Sequence, residues 1–381
     1  MKLLRLTTVP ISLDKLLGKQ LSFMNGFYEV TVISADTPEL ARVANKYGVK
    51  HHHIEMTRKI SPLQDVKALW HFYLYCKAEK PFIVHSHTPK AGIVGMLGAK
   101  MAGVPNRFHT VAGLPLMEAT GLKRTVLTFV EKLTYACATK VYPNSRGLHD
   151  FILKEKFAAH SKLKVLGEGS SNGIDTAFFS RSQIPENQLQ ELRQFLGILP
   201  DDFVFIFVGR LVGDKGINEL VQAFKETNLP KTKLLLVGPL ETELDPLKPT
   251  TLTEIESNKN ILTTGYRSDV RPYFALADTL VFPSYREGFP NVVLQAGAME
   301  LPAIVSDING CNEIIIDGEN GLIVPPKNIE LLRAAMMNLV ADKKLYQELK
   351  AKTRGRIVRD YEQGVVWQAI LKEYQKAEQD V

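Results

Sequence analysis

The sequence predicts an α/β protein built from two doubly wound, largely parallel sheets. Three observations support this. Short β-rich runs alternate with helical patterns almost throughout, the rhythm of parallel strands joined by crossover helices. That rhythm starts afresh at the buried-strand run Phe203-Val204-Phe205-Ile206-Phe207-Val208. A length of 381 residues exceeds a single small core and suits two domains of roughly 150–200 residues each. Two such domains facing each other would place strand C-termini at a central cleft, where ligands bind in sheets of this kind.

In the first half, strands are expected near 2–7, 28–34, 50–54, 82–86, 107–111 and 140–143. Helices at about 12–24, 37–47, 62–79, 90–102 and 121–137 fill the gaps. A strand near 163–167 leads into Gly167-Glu168-Gly169-Ser170-Ser171-Asn172-Gly173, a turn-rich loop where the chain changes domain. Residues 1–175 are taken as the first domain and 176–361 as the second, with a helix over about 362–381 packing back on the first. In the second half, a helix opens over Asn218 to Phe224, and further strands follow near 233–237, 261–264, 279–283, 303–306 and 321–324. The last stretch is helical and charged. No internal repeat or low-complexity tract interrupts the pattern.

Composition is that of a globular protein, with 45% hydrophobic and 23% charged residues. No apolar run approaches the ~20 residues that span a bilayer, and the N-terminus lacks a signal-peptide core and cleavage site. The expectation is a cytoplasmic protein. Cys76, Cys137 and Cys311 form neither a zinc spacing nor a disulfide framework. A net charge of +6 suits an anionic partner. No nucleic-acid motif is present, so phosphorylated substrates and an anionic membrane surface remain.

The most informative stretch is Pro283-Ser284-Tyr285-Arg286-Glu287-Gly288-Phe289-Pro290-Asn291-Val292. It follows the strand run Thr279-Leu280-Val281-Phe282 and leads into an apolar helix pattern. A carboxylate, Glu287, thus sits on a Gly/Pro turn at a strand's C-terminal end. Just behind it, a helix start presents free N–H groups, which favour an anionic ligand. Gln295, inside that helix, either lines the same site or lies on the helix surface. A second loop, Gly209-Arg210-Leu211-Val212-Gly213-Asp214-Lys215-Gly216, carries two cations among three glycines after a strand. Two cations can neutralise a diphosphate, and glycines let backbone approach it. The loop lacks the ending of a P-loop. In Thr263-Thr264-Gly265-Tyr266-Arg267-Ser268-Asp269-Val270, Gly265 would expose backbone to a flat ligand such as a base. Ser268 or Asp269 is expected to cap the next helix.

In the first half, His109 in Arg107-Phe108-His109-Thr110 is either structural or a hydrogen-bonding partner of a sugar hydroxyl or a developing charge. His51-His52-His53 is not read as a metal site, because strand alternation throws its members to opposite faces. Segment 121–140 carries Leu122, Val126, Phe129, Val130 and Leu133 at helical spacing, with Lys123, Arg124 and Lys132 elsewhere. Core packing is the favoured reading of that stripe, with a basic face toward anionic lipid as the alternative.

Taken together, these blocks resemble the retaining nucleotide-sugar glycosyltransferases of family 4, which have the two-domain GT-B fold. The resemblance covers nearly the whole chain and is strongest from Val208 to Pro326. It is carried by Val208-Gly209-Arg210-Leu211 with Asp214-Lys215-Gly216, by Gly265 to Val270, by Pro283 to Pro290, and by Gly318-Glu319-Asn320-Gly321-Leu322. It implies that Arg210 and Lys215 bind the donor diphosphate, that Glu287 contacts the donor sugar and that His109 reaches that sugar. Gly209, Gly265, Tyr266, Gly288, Phe289, Pro290, Asn291, Val292 and Gln295 complete the implied donor site. Two departures stand out. Gln295 replaces the second Glu of the family's Glu-x7-Glu motif, which contacts the ribose, and its amide bonds hydroxyls without charge. Thr7-Thr8-Val9-Pro10-Ile11-Ser12 stands where many members have a Gly-rich loop.

The implied reaction is sugar transfer with retention from a nucleoside-diphosphate sugar, with a UDP-sugar favoured. Arg210, Lys215 and the helix N-terminal amides would stabilise the leaving diphosphate. With no Asp-x-Asp motif at a strand end, neither metal nor other cofactor is expected. The acceptor would be a glycan or a lipid-diphosphate-linked saccharide at the inner membrane face, as in surface-polysaccharide assembly. Two rivals use the same fold: a UDP-sugar epimerase, which would isomerise the sugar without acceptor, and a non-catalytic sugar-nucleotide-binding protein.

Overall fold

A computed structural model describes residues 1–59, 61–117, 119–243 and 245–379. The chain forms two compact units, Met1–Gly173 joined by the helix that begins at Gln363, and Ile174–Glu362.

In the first unit the strands are β1 (Lys2–Leu6), β2 (Glu29–Ser34), β3 (Lys50–His53), β4 (Ile83–Ser86), β5 (Asn106–Val111) and β6 (Lys140–Pro143). All pair in parallel, in the order β3-β2-β1-β4-β5-β6. Helices α1 (Pro10–Leu16), α2 (Gln20–Asn25) and α3 (Thr37–Tyr47) connect the strands on one side of β1. Helices α4 (Pro62–Glu79), α5 (Pro89–Ala102) and α6 (Gly121–Cys137) connect those on the other, and α7 (Arg146–Lys154) follows β6. Right-handed crossovers put these two helix sets on opposite faces of the sheet. Each face has its own apolar cluster, one built on Leu4, Leu6 and Val84, the other on Leu3, Val30 and Ile83.

The second unit repeats this topology. Its strands are β7 (Phe203–Val208), β8 (Thr232–Val237), β9 (Ile261–Gly265), β10 (Thr279–Phe282), β11 (Ala303–Ser306) and β12 (Gly321–Val324), in the order β12-β11-β10-β7-β8-β9. Its helices are α8 (Glu186–Leu196), α9 (Ile217–Thr227), α10 (Pro249–Ser257), α11 (Arg271–Leu276), α12 (Asn291–Ala298), α13 (Cys311–Ile314), α14 (Ile329–Ala341) and α15 (Lys343–Tyr361). Both sheets show the doubly wound order, in which the connections reverse direction beside the first strand. Strands buried on both faces explain the continuous apolar runs in the sequence: Val204 to Phe207 and Leu234 to Leu236 are all fully buried.

Helix α16 (Gln363–Gln379) belongs to the first unit and buries Val366, Ile370, Leu371 and Tyr374 there. The last two residues of the helix expected over 362–381 lie outside the described residues. Three local expectations are corrected. The single helix expected over 12–24 is two, because Gly18 takes φ +50 between α1 and α2. The strand expected near 163–167 is one bridge, Leu163 to Val141. The stripe on α6 is only partly core: Leu122, Val126 and Phe129 are 81%, 41% and 66% exposed, whereas Val130 is half-buried and Leu133 packs against the core.

Candidate nucleotide-sugar site

Open α/β sheets bind ligands outside the strand C-termini where the strand order reverses. In the second unit that point lies between β7 and β10, and both loops singled out from sequence are there. The Gly209–Gly216 loop follows β7 and the Pro283–Pro290 turn follows β10.

The structure brings Lys215 and Glu287 together. Lys215 Nζ donates to Glu287 Oε1 at 2.5 Å, and each side chain is 17% exposed. Ser284 Oγ donates to the same carboxylate oxygen at 3.1 Å. The two loops are also locked by backbone: Tyr285 N–H donates to the Asp214 carbonyl, and Arg286 pairs with the Asp214 carboxylate at 2.9 Å. Gly216 makes this approach possible. Its φ is +71, and a Cβ there would lie 2.1 Å from the Pro283 carbonyl oxygen.

Arg210 is on the same loop but turned to another partner, with Nη1 2.9 Å from Glu241 Oε2 and the side chain 44% exposed. It is therefore accessible and balanced by one carboxylate. Gly209 ends β7 beside Gly238, which ends β8; a Cβ on Gly238 would lie 1.8 Å from the Gly209 carbonyl oxygen. Gly238 N–H in turn donates to the Gly265 carbonyl at 3.0 Å. Three glycine strand ends thus lie side by side, and Tyr266 next to them is 73% exposed.

Helix α12 begins at Asn291 after Pro290. The cap residue, Pro290, supplies no side-chain hydrogen bond, and no acid occupies the first turn. Gly288, Phe289, Pro290, Asn291 and Val292 therefore form an electropositive helix entry directly behind Glu287. Gln295 lies within α12, half-buried. No hydrogen bond ties it to Lys215 or Glu287 among the described residues. The expected capping role of Ser268 or Asp269 takes a different form. Val270 is the cap residue, and Asp269 accepts from the Arg271 amide at 3.0 Å while pairing with the Arg271 guanidinium at 2.6 Å.

Sequence reasoning missed the residues that hold these loops. Asp245 Oδ2 accepts from the Asp214 amide at 2.5 Å, and its carbonyl accepts from the Gly213 amide at 3.0 Å. Asn309, after β11, donates to the Glu287 and Gly288 carbonyls at 3.1 and 2.5 Å. The Asn309-Gly310 turn signal was visible, but its target was not. Glu241 likewise gave no local signal.

His109 belongs to the first unit. It is 3% exposed on β5, its Nδ1 is 2.8 Å from Ser86 Oγ, and its ring centroid is 5.9 Å from that of Tyr135. Burial lowers its pKa to about 4, so the imidazole is neutral near pH 7. Gly92 gives the ring its room: a Cβ there would lie 2.7 Å from His109 Cε1. On α6, burial raises the Glu131 carboxyl to about 7. His51, His52 and His53 form no ligand cluster; His52 stacks on Tyr75 with ring centroids 3.8 Å apart.

Comparison with known proteins agrees with the fold of the two units. The family model "Glycosyl transferases group 1" matches residues 189–356, and "Glycosyl transferase 4-like domain" matches 23–169. The chain is 34% identical to the capsular polysaccharide biosynthesis glycosyltransferase CapM of Staphylococcus aureus, over 98% of this chain and 96% of that one. It is 32% identical to the UDP-Gal:α-D-GlcNAc-diphosphoundecaprenol α-1,3-galactosyltransferase of Escherichia coli, over 80% and 78% of the two chains. Among solved structures, Anabaena HepE in complex with UDP superimposes with a TM-score of 0.82 at 18% identity, covering 99% of this chain and all of that one. The chain belongs to the group 1 glycosyltransferases and has their GT-B fold of two Rossmann-like domains.

Proposed function

We propose that this glycosyltransferase moves a sugar from a UDP-sugar, with retention and without a metal ion, to a lipid-diphosphate-linked saccharide during surface-polysaccharide assembly. The observation that carries the reading is the Lys215–Glu287 pair at the strand-order reversal of the second unit, with Arg210 on the same loop. Leaving-group departure in such a transfer releases a nucleoside diphosphate, so cationic charge must meet its phosphates as the bond breaks. Arg210, Lys215 and the α12 amides supply that charge. Glu287 then turns from Lys215 to the sugar hydroxyls, while Gly265 and Tyr266 receive the base and Gln295 the ribose. His109, neutral because it is buried, acts as a hydrogen-bonding group toward the sugar rather than as a cation. A phosphate oxygen of the departing diphosphate takes the acceptor proton, which is why no dedicated base is assigned.

The first unit is read as the acceptor side and the second as the donor side. The choice of UDP and of a lipid-linked acceptor draws on the Escherichia coli relative, whose name specifies both. The Staphylococcus relative supports the setting. No helix of the described residues is long and apolar enough to cross a membrane, so we place the protein at the cytoplasmic membrane face by peripheral contact with anionic lipid.

The test is an assay with UDP-glucose, UDP-galactose and their N-acetylamino forms, in EDTA, with a short-chain polyprenyl-diphosphate-linked sugar as acceptor. NMR of the product should show an α-glycoside formed from an α-linked donor. Sugar isomerisation without acceptor would instead identify an epimerase. Donor binding without turnover on any such acceptor would leave only the non-catalytic reading.

A further inference from the structure

We propose that the outward faces of α4 and α6 form a docking surface for an anionic lipid bilayer. The proposal gives a place to the lipid-linked acceptor and in that respect rests on the reading above; its physical basis is independent. On α4, Leu63, Val66, Trp70 and Leu74 are 89%, 65%, 53% and 47% exposed. Their spacings of three, four and four residues put them on one stripe. The opposite stripe of the same helix, Ala68, Phe72 and Cys76, is buried in the core of the first unit, with Phe72 facing Gly98 of α5. α6 repeats the arrangement. Leu122, Val126 and Phe129 face outward, while Thr134, Tyr135 and Cys137 are buried. Both helices thus carry large apolar side chains on the face turned away from the core.

Helix α3, on the opposite side of the same sheet, provides the contrast. The outward residues of α3, Arg42, Asn45 and Lys46, are polar, as an ordinary solvent face should be. Between α4 and α6, helix α5 is sunk onto the sheet. A Cβ on its Gly95 would meet Leu6 at 3.0 Å, and one on Gly98 would meet Phe72 at 2.8 Å. Only Pro89, Lys100 and Met101 of α5 are exposed, so α4 and α6 carry most of the outer surface on this side.

Charge selects the occupant. Residues 58–140, which span all three helices, hold twelve Lys and Arg against four Asp and Glu, a net charge of +8. The whole chain carries +6, so everything outside this segment is net negative. Among the acids, Glu131 is buried, and Asp65 is held by Lys90 at 2.5 Å. Lys67 and Lys77 on α4 and Lys123 and Lys132 on α6 are exposed beside the apolar stripes. Exposed Leu, Phe and Trp side chains flanked by lysines match the boundary of an anionic bilayer, where apolar groups enter the acyl region and cations meet the headgroups. An acidic polymer would use the lysines and leave the apolar side chains in water.

The test is co-sedimentation of the full chain with phosphatidylglycerol–phosphatidylcholine vesicles and with phosphatidylcholine vesicles alone. Wild type should bind the anionic vesicles and not the neutral ones. The double variant Trp70→Glu/Phe129→Glu should lose at least ~10-fold in affinity, and Lys67→Glu/Lys123→Glu should do the same. Asn45→Glu on α3 should change nothing. No binding to anionic vesicles would overturn the proposal, as would binding that survives Trp70→Glu/Phe129→Glu. Light scattering that shows a dimer dissolved by the same double variant would assign the surface to a second copy instead. Donor binding is measured separately by thermal shift with UDP-sugars: its absence in wild type would defeat the transferase reading and leave the vesicle result intact.

Discussion

Lys215 and Glu287 lie 72 residues apart in sequence and 2.5 Å apart in space, each on a loop that follows a strand beside the reversal of strand order. Both are 17% exposed, so the pair is neither a solvated surface bridge nor a sealed one. Such a pair holds a cation and a carboxylate beside each other, which under the proposed function would meet phosphate and sugar hydroxyls respectively. Its net contribution to stability is small, since partial desolvation offsets much of the attraction.

Glu287→Gln should therefore separate function from fold. The substitution keeps size and hydrogen bonding and removes the charge. We expect a loss of roughly 1–2 kcal/mol in stability and a fall in kcat of about 10²-fold or more. Steady-state kinetics alongside denaturant unfolding would check this. A variant with full activity would remove Glu287 from the reaction.

Arg210 Nη1 is engaged by Glu241 at 2.9 Å, so under the proposed function a donor diphosphate would compete with that carboxylate for the guanidinium. Glu241→Gln removes the competition. The KM for the donor should fall by about 2–5-fold, with kcat little changed, because the competing pair is partly exposed and worth about 1 kcal/mol or less. An unchanged or raised KM would mean that Glu241 positions Arg210 rather than competing for it.

Two glycines test the two units separately. At Gly216 the backbone angle and the nearby Pro283 carbonyl both exclude a side chain. Gly216→Ala should cost about 2–4 kcal/mol and should abolish donor binding by parting the two loops. At Gly92 the three atoms nearest to the added methyl all belong to the His109 ring, a side chain rather than backbone. Gly92→Ala should leave the fold intact, displace the imidazole and lower kcat about 10-fold or more without changing donor affinity. Thermal shift with and without UDP-sugar distinguishes the two outcomes.

The pH dependence of the first unit follows from its buried titratable groups. His109 is held at about 4 against ~6.5 in an unfolded chain. Its burial costs nothing above ~6.5. As pH falls from there toward 4, the unfolded state takes up a proton that the folded state refuses, so stability declines. His85 and His87 are also held well below the usual range, first by burial and then by neighbouring positive charge, and they act in the same direction. Glu131, raised to about 7, acts the other way. The folded state holds its proton, so this contribution fades as pH rises from ~4.5 through 7. Urea unfolding at pH 7.5 and 5 should show that His109→Asn flattens the acid-side loss and that Glu131→Gln steepens it.

Much of this was readable in the sequence, for physical reasons. Strands such as Phe203–Val208 stand out because parallel sheets bury both faces, and the donor loops stand out because glycines and charges follow those strands directly. What escaped depends on tertiary proximity. Asn309 acts on the carbonyls of Glu287 and Gly288, about twenty positions earlier in the chain, and Asp245 acts on the amides of another loop. Nothing local marks either role. The first part of the stripe on α6 misled for a different reason. Helical period shows that Leu122, Val126 and Phe129 share a face but not whether that face meets the core. A single helix over 12–24 overlooked Gly18, whose positive φ breaks it.

The most direct test of the donor site is a thermal-shift titration with UDP-, GDP-, ADP- and TDP-sugars in EDTA, run on wild type and on Arg210→Ala. A ligand that binds only the folded state raises apparent stability. Tm should rise with UDP-sugars in wild type and fail to rise in Arg210→Ala at the same concentrations. A rise that persists undiminished in Arg210→Ala, or no rise with any nucleotide sugar, would contradict the placement of the donor between the β7 and β10 loops.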